Sequence, residues 1–182
     1  MQPAVQPGHD QPQHRAGPDV AAHPSVLRVR QTLTSLGSAG DVVVLDDHAR
    51  TAAAAAEQLG VTVAQIANSL VFAVPDESAA GGRRALLVLT SGAHRVDTAK
   101  VAALIGAPRL DRADADFVRE RTGFAIGGVA PVGHTSPLQT LVDDALAGHA
   151  TVWAAAGHPR TVFPTTFDEL LRITGGRPAT VA

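Results

Sequence analysis

The chain has 182 residues, 45% of them hydrophobic and 18% charged, with a formal net charge of −2 and no Cys. This length supports one sizeable core rather than two ordinary domains, and the near-neutral charge excludes a protein that coats nucleic acid through charge alone, though not a local RNA contact. The absence of Cys excludes a disulfide framework, a thiolate nucleophile and a Cys-based zinc site. No window approaches the roughly 20 apolar residues of a membrane-spanning helix, and no basic segment with an apolar stretch opens the chain, so a cytoplasmic protein with no membrane partner is expected.

Residues 1–22, MQPAVQPGHDQPQHRAGPDVAA, are rich in Pro, Gln, Gly and His and poor in large apolar side chains. They read as a flexible tail, and His9 and His14 alone supply too few ligands for a metal. The one domain, residues 23–182, begins where a helical stripe does: Val26, Val29, Arg30 and Leu33, stopping at Gly37. Val42 to Leu45 reads as a short buried strand. TAAAAAEQLG is a helix by propensity, with Thr51 as N-cap and Gly60 as terminator. Ser69–Val74 and Arg84–Thr90 form a long-looped hairpin across the polar turn Pro75–Gly82. Asp97 and Gly106 bracket a helix, as do the residues of DADFVRERTG before Gly123. LQTLVD, ATVWAAA and RTVFP read as strands, TFDELLRITGG as a helix and PATVA as a last strand. The elements mix without strict alternation, which predicts an α/β (α+β) fold with a mixed sheet curled around a core.

Two stretches stand out chemically. In QIANSLVF, Gln65–Phe72, Asn68 and Ser69 interrupt an apolar run, and buried polar groups need a partner in the fold, in water or in a ligand. In TGFAIGGVAPVGHTSPL, Thr122–Leu138, glycines permit close approach to a ligand while prolines stiffen the path. Such a loop can cradle a carbonyl oxygen or a phosphate, or be an ordinary connection. It is neither a Walker loop nor a dinucleotide fingerprint. Neither Gly-x-Ser-x-Gly nor a Ser, His and acid set supports a generic esterase.

The order TAAAAAEQLGVTVAQIANSLVF, LLVLTSGAHRVDTAKVAALIGA, GFAIGGVAPVGH, LVDDAL and VWAAAG resembles the YbaK/prolyl-tRNA synthetase-associated domain family, from about His23 to the C-terminus. That resemblance implies a barrel-like central sheet surrounded by helices, and a free-standing aminoacyl-tRNA deacylase. Such an enzyme clears a small mischarged amino acid from the 3′ end of tRNA, with no cofactor, no metal and no DNA partner; a homodimer is compatible with it. It also implies that the backbone of the Gly-x-x-x-Pro loop, Gly127, Gly128, Val129, Ala130 and Pro131, holds the substrate carbonyl or developing oxyanion. The family's lysine, which anchors the phosphate and adenosine end of the tRNA, is replaced here by Asn68. Lys100, the sole lysine, falls in a later helix, and Arg95 is a conceivable substitute. The replacement leaves open an inactive paralogue that binds a small ligand, a tRNA end or a protein partner.

Other candidates carry two readings each. His134 can be a general base, a partner of the substrate amine or a structural loop histidine. Asp143, with Asp144 beside it at the end of LQTLVDD, can orient a pocket group, meet the substrate ammonium or N-cap a helix over ALAGH, Ala145–His149. Ser69 can touch substrate or satisfy a neighbouring backbone group. Gly157 serves a turn at the strand end that lines the family's pocket, and His158 can face the site.

Overall fold

The computed structural model describes residues 19–182; the tail predicted for residues 1–22 therefore lies, up to residue 18, outside the described residues. Val20–Ala22 form a 3-10 turn capped by the Asp19 side chain. Five helices follow: α1 Pro24–Ser35, α2 Ala52–Leu59, α3 Thr98–Leu104, α4 Ala115–Thr122 and α5 Phe167–Thr174. The strands are β1 Val43–Val44, β2 Ile66–Pro75, β3 Arg83–Ser91, β4 Asp111–Arg112, β5 Gln139–Asp143, β6 Val152–Ala155, β7 Thr161–Thr165 and β8 Arg177–Ala179.

The expected helix signals operate as chemistry. Thr51, Asp97, Asp114 and Thr166 each accept a hydrogen bond from an amide in the first turn of the helix that follows. Gly60, Gly123 and Gly175 end α2, α4 and α5 in the left-handed region, where a Cβ would be strained. One expectation fails at β1: Val43 and Val44 are exposed, and only Leu45 after them is buried. A two-residue edge strand paired to β7 has too little covering chain to bury both faces. The sequence also gives no sign of β4, which is two charged residues, Asp111 and Arg112, added to β2.

The eight strands form one mixed sheet in the order β1-β7-β6-β2-β3-β5-β8, with β4 on β2. The sheet is not closed: β1 and β8 end the path. Helices cover both faces. Val29 and Leu33 of α1, Phe117 and Val118 of α4, and Leu170 and Ile173 of α5 join Leu87, Leu89 and Phe163 in the main core. Val101 of α3 packs with Val74, Leu86 and Val88 on the other face, where Ala55 and Ala56 of α2 meet Ile66.

The central strand β2 is long and unevenly partnered. One edge pairs with β3 from Ala67 to Pro75. The other is shared between β6, which takes Ile66 and Ala67, and β4, which takes Phe72 and Ala73. Asn68–Val71 therefore have no strand on that edge. Gly92 N–H donates to Ile66 O, so the antiparallel ladder turns the backbone groups of even-numbered β2 residues toward β3. Those of Ser69 and Val71 turn toward the gap.

Candidate active site

A cavity of about 570 Å³ opens at this gap. Its wall comprises Arg50 and the start of α2, Ile66–Leu70 of β2, Gly127 and Val129 of the Gly-x-x-x-Pro loop, and the segment around His158. No carboxylate lines it among the described residues. Because side chains alternate along a strand, Asn68 and Ser69 lie on opposite faces of β2, and both reach the cavity through the missing edge.

The two polar residues differ in setting. Asn68 is exposed, opposite Thr90 in the ladder. Ser69 turns toward the core, and its Oγ is buried without a hydrogen-bond partner. A buried hydroxyl left unpaired costs about 1–3 kcal/mol, so Ser69 marks a place where a ligand or water supplies what the fold does not.

Across the cavity, the loop is shaped by close packing. Gly127 has φ of +90°, a conformation glycine adopts freely. A Cβ on Gly128 would stand 3.0 Å from the backbone N and Cα of His158, so only glycine lets the loop lie against that segment. Gly128 N–H donates to Ala125 O. Gly127 and Val129, the loop residues that line the cavity, are the remaining candidate donors toward it. Ala130 is fully buried, and Pro131 faces a second cavity.

His134 belongs to that second cavity of about 340 Å³ behind the loop, not to the first. Its Nε2 donates to Ala130 O at 2.7 Å, and its ring meets Phe124 edge-on at 6.0 Å. Arg28 lies over Phe124 at 4.6 Å and donates to Gly123 O. Burial chiefly, with nearby Arg28, holds the His134 pKa below the ordinary imidazole value against the opposing pull of the Ala130 carbonyl. A neutral ring with its proton on Nε2 follows. Of the alternatives the sequence left open, this setting is that of a residue bracing the loop from behind.

Asp143 likewise stands away from the cavity. Its fully buried carboxylate accepts hydrogen bonds from Thr90 Oγ1, Ser91 N and His94 Nδ1, and from Ala145 N as the cap of the 3-10 turn Asp144–Gly148. It ties the end of β3 to β5 and does not line the cavity. Gly157 also serves packing: with φ of +97°, its Cβ would fall 2.7 Å from Ser25 O. Lys100 Nζ donates to Ala182 O, and Arg95 does not line the cavity. Sequence reasoning missed Arg50, which does, because a lone Arg before a helix N-cap carries no signal until the helix is placed.

His158 lines the cavity and has two further rings beside it, His23 at 5.3 Å and His48 at 5.6 Å between centroids. Burial chiefly, then electrostatic repulsion by the neighbouring His23, His48 and Arg160 side chains, holds its pKa below the ordinary imidazole value. Among the described residues no group of three or more His, Cys, Asp or Glu is arranged to hold a metal ion.

A family model described as "Aminoacyl-tRNA editing domain" matches residues 46–173. The uncharacterized protein YwhH of Bacillus subtilis (strain 168) is 29% identical over 146 residues, 80% of this chain and 88% of that protein. The proline–tRNA ligase of Bacillus licheniformis is 40% identical over 78 residues, 43% of this chain but only 13% of the ligase. A solved structure described as a candidate trans-editing enzyme for prolyl tRNA synthetase superposes with a TM-score of 0.78 at 45% identity, over 87% of this chain and 96% of that one.

Proposed function

Because the chain belongs to the aminoacyl-tRNA editing domain family, we propose that it is a deacylase that hydrolyses the ester between a small, mischarged amino acid and the 3′ end of tRNA. The observation that carries this reading is the single cavity in which Gly127 and Val129 face Asn68 and Ser69 across the open edge of β2. In the reaction, water adds to the ester carbonyl carbon. The amides of Gly127 and Val129 stabilise the oxyanion that forms, and the C–O bond to the ribose then breaks, with the ribose oxygen taking up a proton. Preorganised donors of this kind contribute about 10²–10³ in rate each. Ser69 Oγ meets a polar atom of the aminoacyl group, and Asn68 offers its amide to the nucleotide end. With no carboxylate on the wall, the substrate ammonium is left to carbonyl oxygens and solvent.

The experiment is incubation of the purified protein with a panel of mischarged tRNAs. Ester hydrolysis well above buffer is expected for at least one small amino acid, and none across the panel refutes the reading. A second reading, a paralogue that binds without hydrolysing, is favoured by one observation. Asn68 is exposed with no charge of its own, and Lys100, the only lysine, is bonded to Ala182. Asn68→Lys separates the two: hydrolysis that appears only in the variant assigns the natural chain to binding, whereas an active natural protein little changed by the substitution removes that reading.

A further inference from the structure

His158 lines the cavity, and the His23 and His48 rings flank it with centroids at 5.3 and 5.6 Å. His23 Nδ1 accepts from Ser25 N at 3.2 Å, as the N-cap of α1, and His158 Nδ1 accepts from Arg160 N at 3.1 Å. An Nδ1 that accepts carries no proton, so in both imidazoles the proton sits on Nε2, which is left as a donor. His48 stands beside His158 on the other side. Arg50, two residues on, lines the cavity with His158, and among the described residues neither it nor any of the three histidines enters an ion pair. Ala52 and Ala53, the first residues of α2, line the same wall, and helix geometry leaves their amides without intrahelical acceptors. With both Nδ1 atoms engaged, the groups left free here are donors or positive; Asp46 and Asp47, the acidic residues nearest in sequence, are exposed, and among the described residues neither is paired to a histidine or arginine.

We infer that His158, with His23, His48 and Arg50, forms an anion subsite at the cavity mouth that takes a phosphate of the tRNA 3′ end. Resting on the deacylase reading for the identity of the RNA, the inference places the positive charge that Asn68 lacks on Arg50, with neutral imidazole donors beside it on a rim that includes His23, which precedes the residues matched by the family model. Neutral imidazole N–H groups, a guanidinium and helix-terminal amides together suit a phosphate oxygen. A divalent metal suits the cluster less well, since two Nδ1 atoms are already engaged as acceptors.

The test needs no turnover, so its failure is distinct from that of the deacylase reading. Imidazole C–H resonances are followed by NMR while inorganic phosphate, 5′-AMP and the trinucleotide CCA are titrated in turn. Saturable shifts of the His158 and His48 rings are expected with all three, with CCA binding at least about tenfold more tightly than inorganic phosphate. Arg50→Ala and His48→Ala, both at exposed positions, should each weaken CCA binding about fivefold or more, with unchanged circular dichroism. Absence of saturable shifts, or shifts indifferent to both substitutions, overturns the subsite. Inorganic phosphate binding as tightly as CCA overturns its assignment to RNA. Zn²⁺ saturating the rings at micromolar concentration where the phosphates do not overturns the anion in favour of a metal.

Discussion

Behind the Gly127–Pro131 loop most polar groups find partners, whereas in front of it several do not. On the rear side His134 donates to Ala130 O, Thr122 Oγ1 donates to Val118 O and accepts from Phe124 N, and Thr135 and Ser136 donate to carbonyls of α4. Arg28 Nε and Arg121 Nε are exceptions, buried without a hydrogen-bond acceptor while the Arg28 guanidinium covers the Phe124 ring and that of Arg121 lies over Phe117. On the cavity side Ser69 Oγ is buried and unpartnered, and among the described residues β2 lacks a strand along Asn68–Val71 and Arg50 enters no ion pair. The same loop thus has a scaffold face and a face whose unmet hydrogen bonds call for a ligand. His134 looked in sequence like a catalytic candidate and belongs to the first face; Arg50 went unnoticed and belongs to the second.

Substitutions at four positions sharpen or break this contrast. Gly128→Ala should have the largest effect, because its Cβ would meet backbone atoms of His158 rather than a yielding side chain and would lift the loop from its seat. A fall in deacylation rate of about 100-fold is expected, comparable to losing an oxyanion donor, read in single-turnover assays. Unchanged turnover would show that the loop face does not carry the chemistry.

His134→Phe should lower the maximal rate about tenfold, within the range typical of second-layer supports, with little change in KM, and His134→Gln should restore part of it by donating to Ala130 O again. The same pair tests a pH dependence. Burial lowers the His134 pKa in the folded protein, so the unfolded chain binds the proton first, and stability falls as pH drops below the ordinary imidazole value of about 6.5. His134→Gln should flatten that fall in denaturant titrations at successive pH values. An identical slope in the variant would assign the dependence to another group.

Thr122→Val removes a satisfied hydroxyl and strands the Phe124 N–H. Its cost is about 1–3 kcal/mol, a melting-temperature drop of roughly 5 °C for a domain of this size. Ser69→Ala should do the opposite on the cavity side: deleting an unpartnered buried hydroxyl leaves the melting point unchanged or slightly raised, while the Kd for a non-hydrolysable aminoacyl-nucleotide rises several-fold. If Ser69→Ala destabilised as Thr122→Val does, the distinction between the two faces would not hold.

Much of this was legible along the chain because the signals are local. A Thr or Asp before a helix, a Gly after it and a run of β-branched residues act within a few positions, so α2, α3, α4, β2 and β3 could be placed from residue order alone. So could the motif order that marks the editing family, and the prominence of Asn68, Ser69 and the Gly-rich loop. The tertiary structure decided what each of these faces. Whether Val43 is buried depends on what covers an edge; whether Asp143 meets a ligand depends on Thr90, Ser91 and His94 closing around it; whether His134 or Arg50 reaches the cavity depends on which side of the loop and which end of α2 the sheet presents. The gap in β2 arises only because two short strands, β6 and β4, share one edge without meeting. No neighbour in sequence encodes that vacancy, since it is a property of strand order and strand length together.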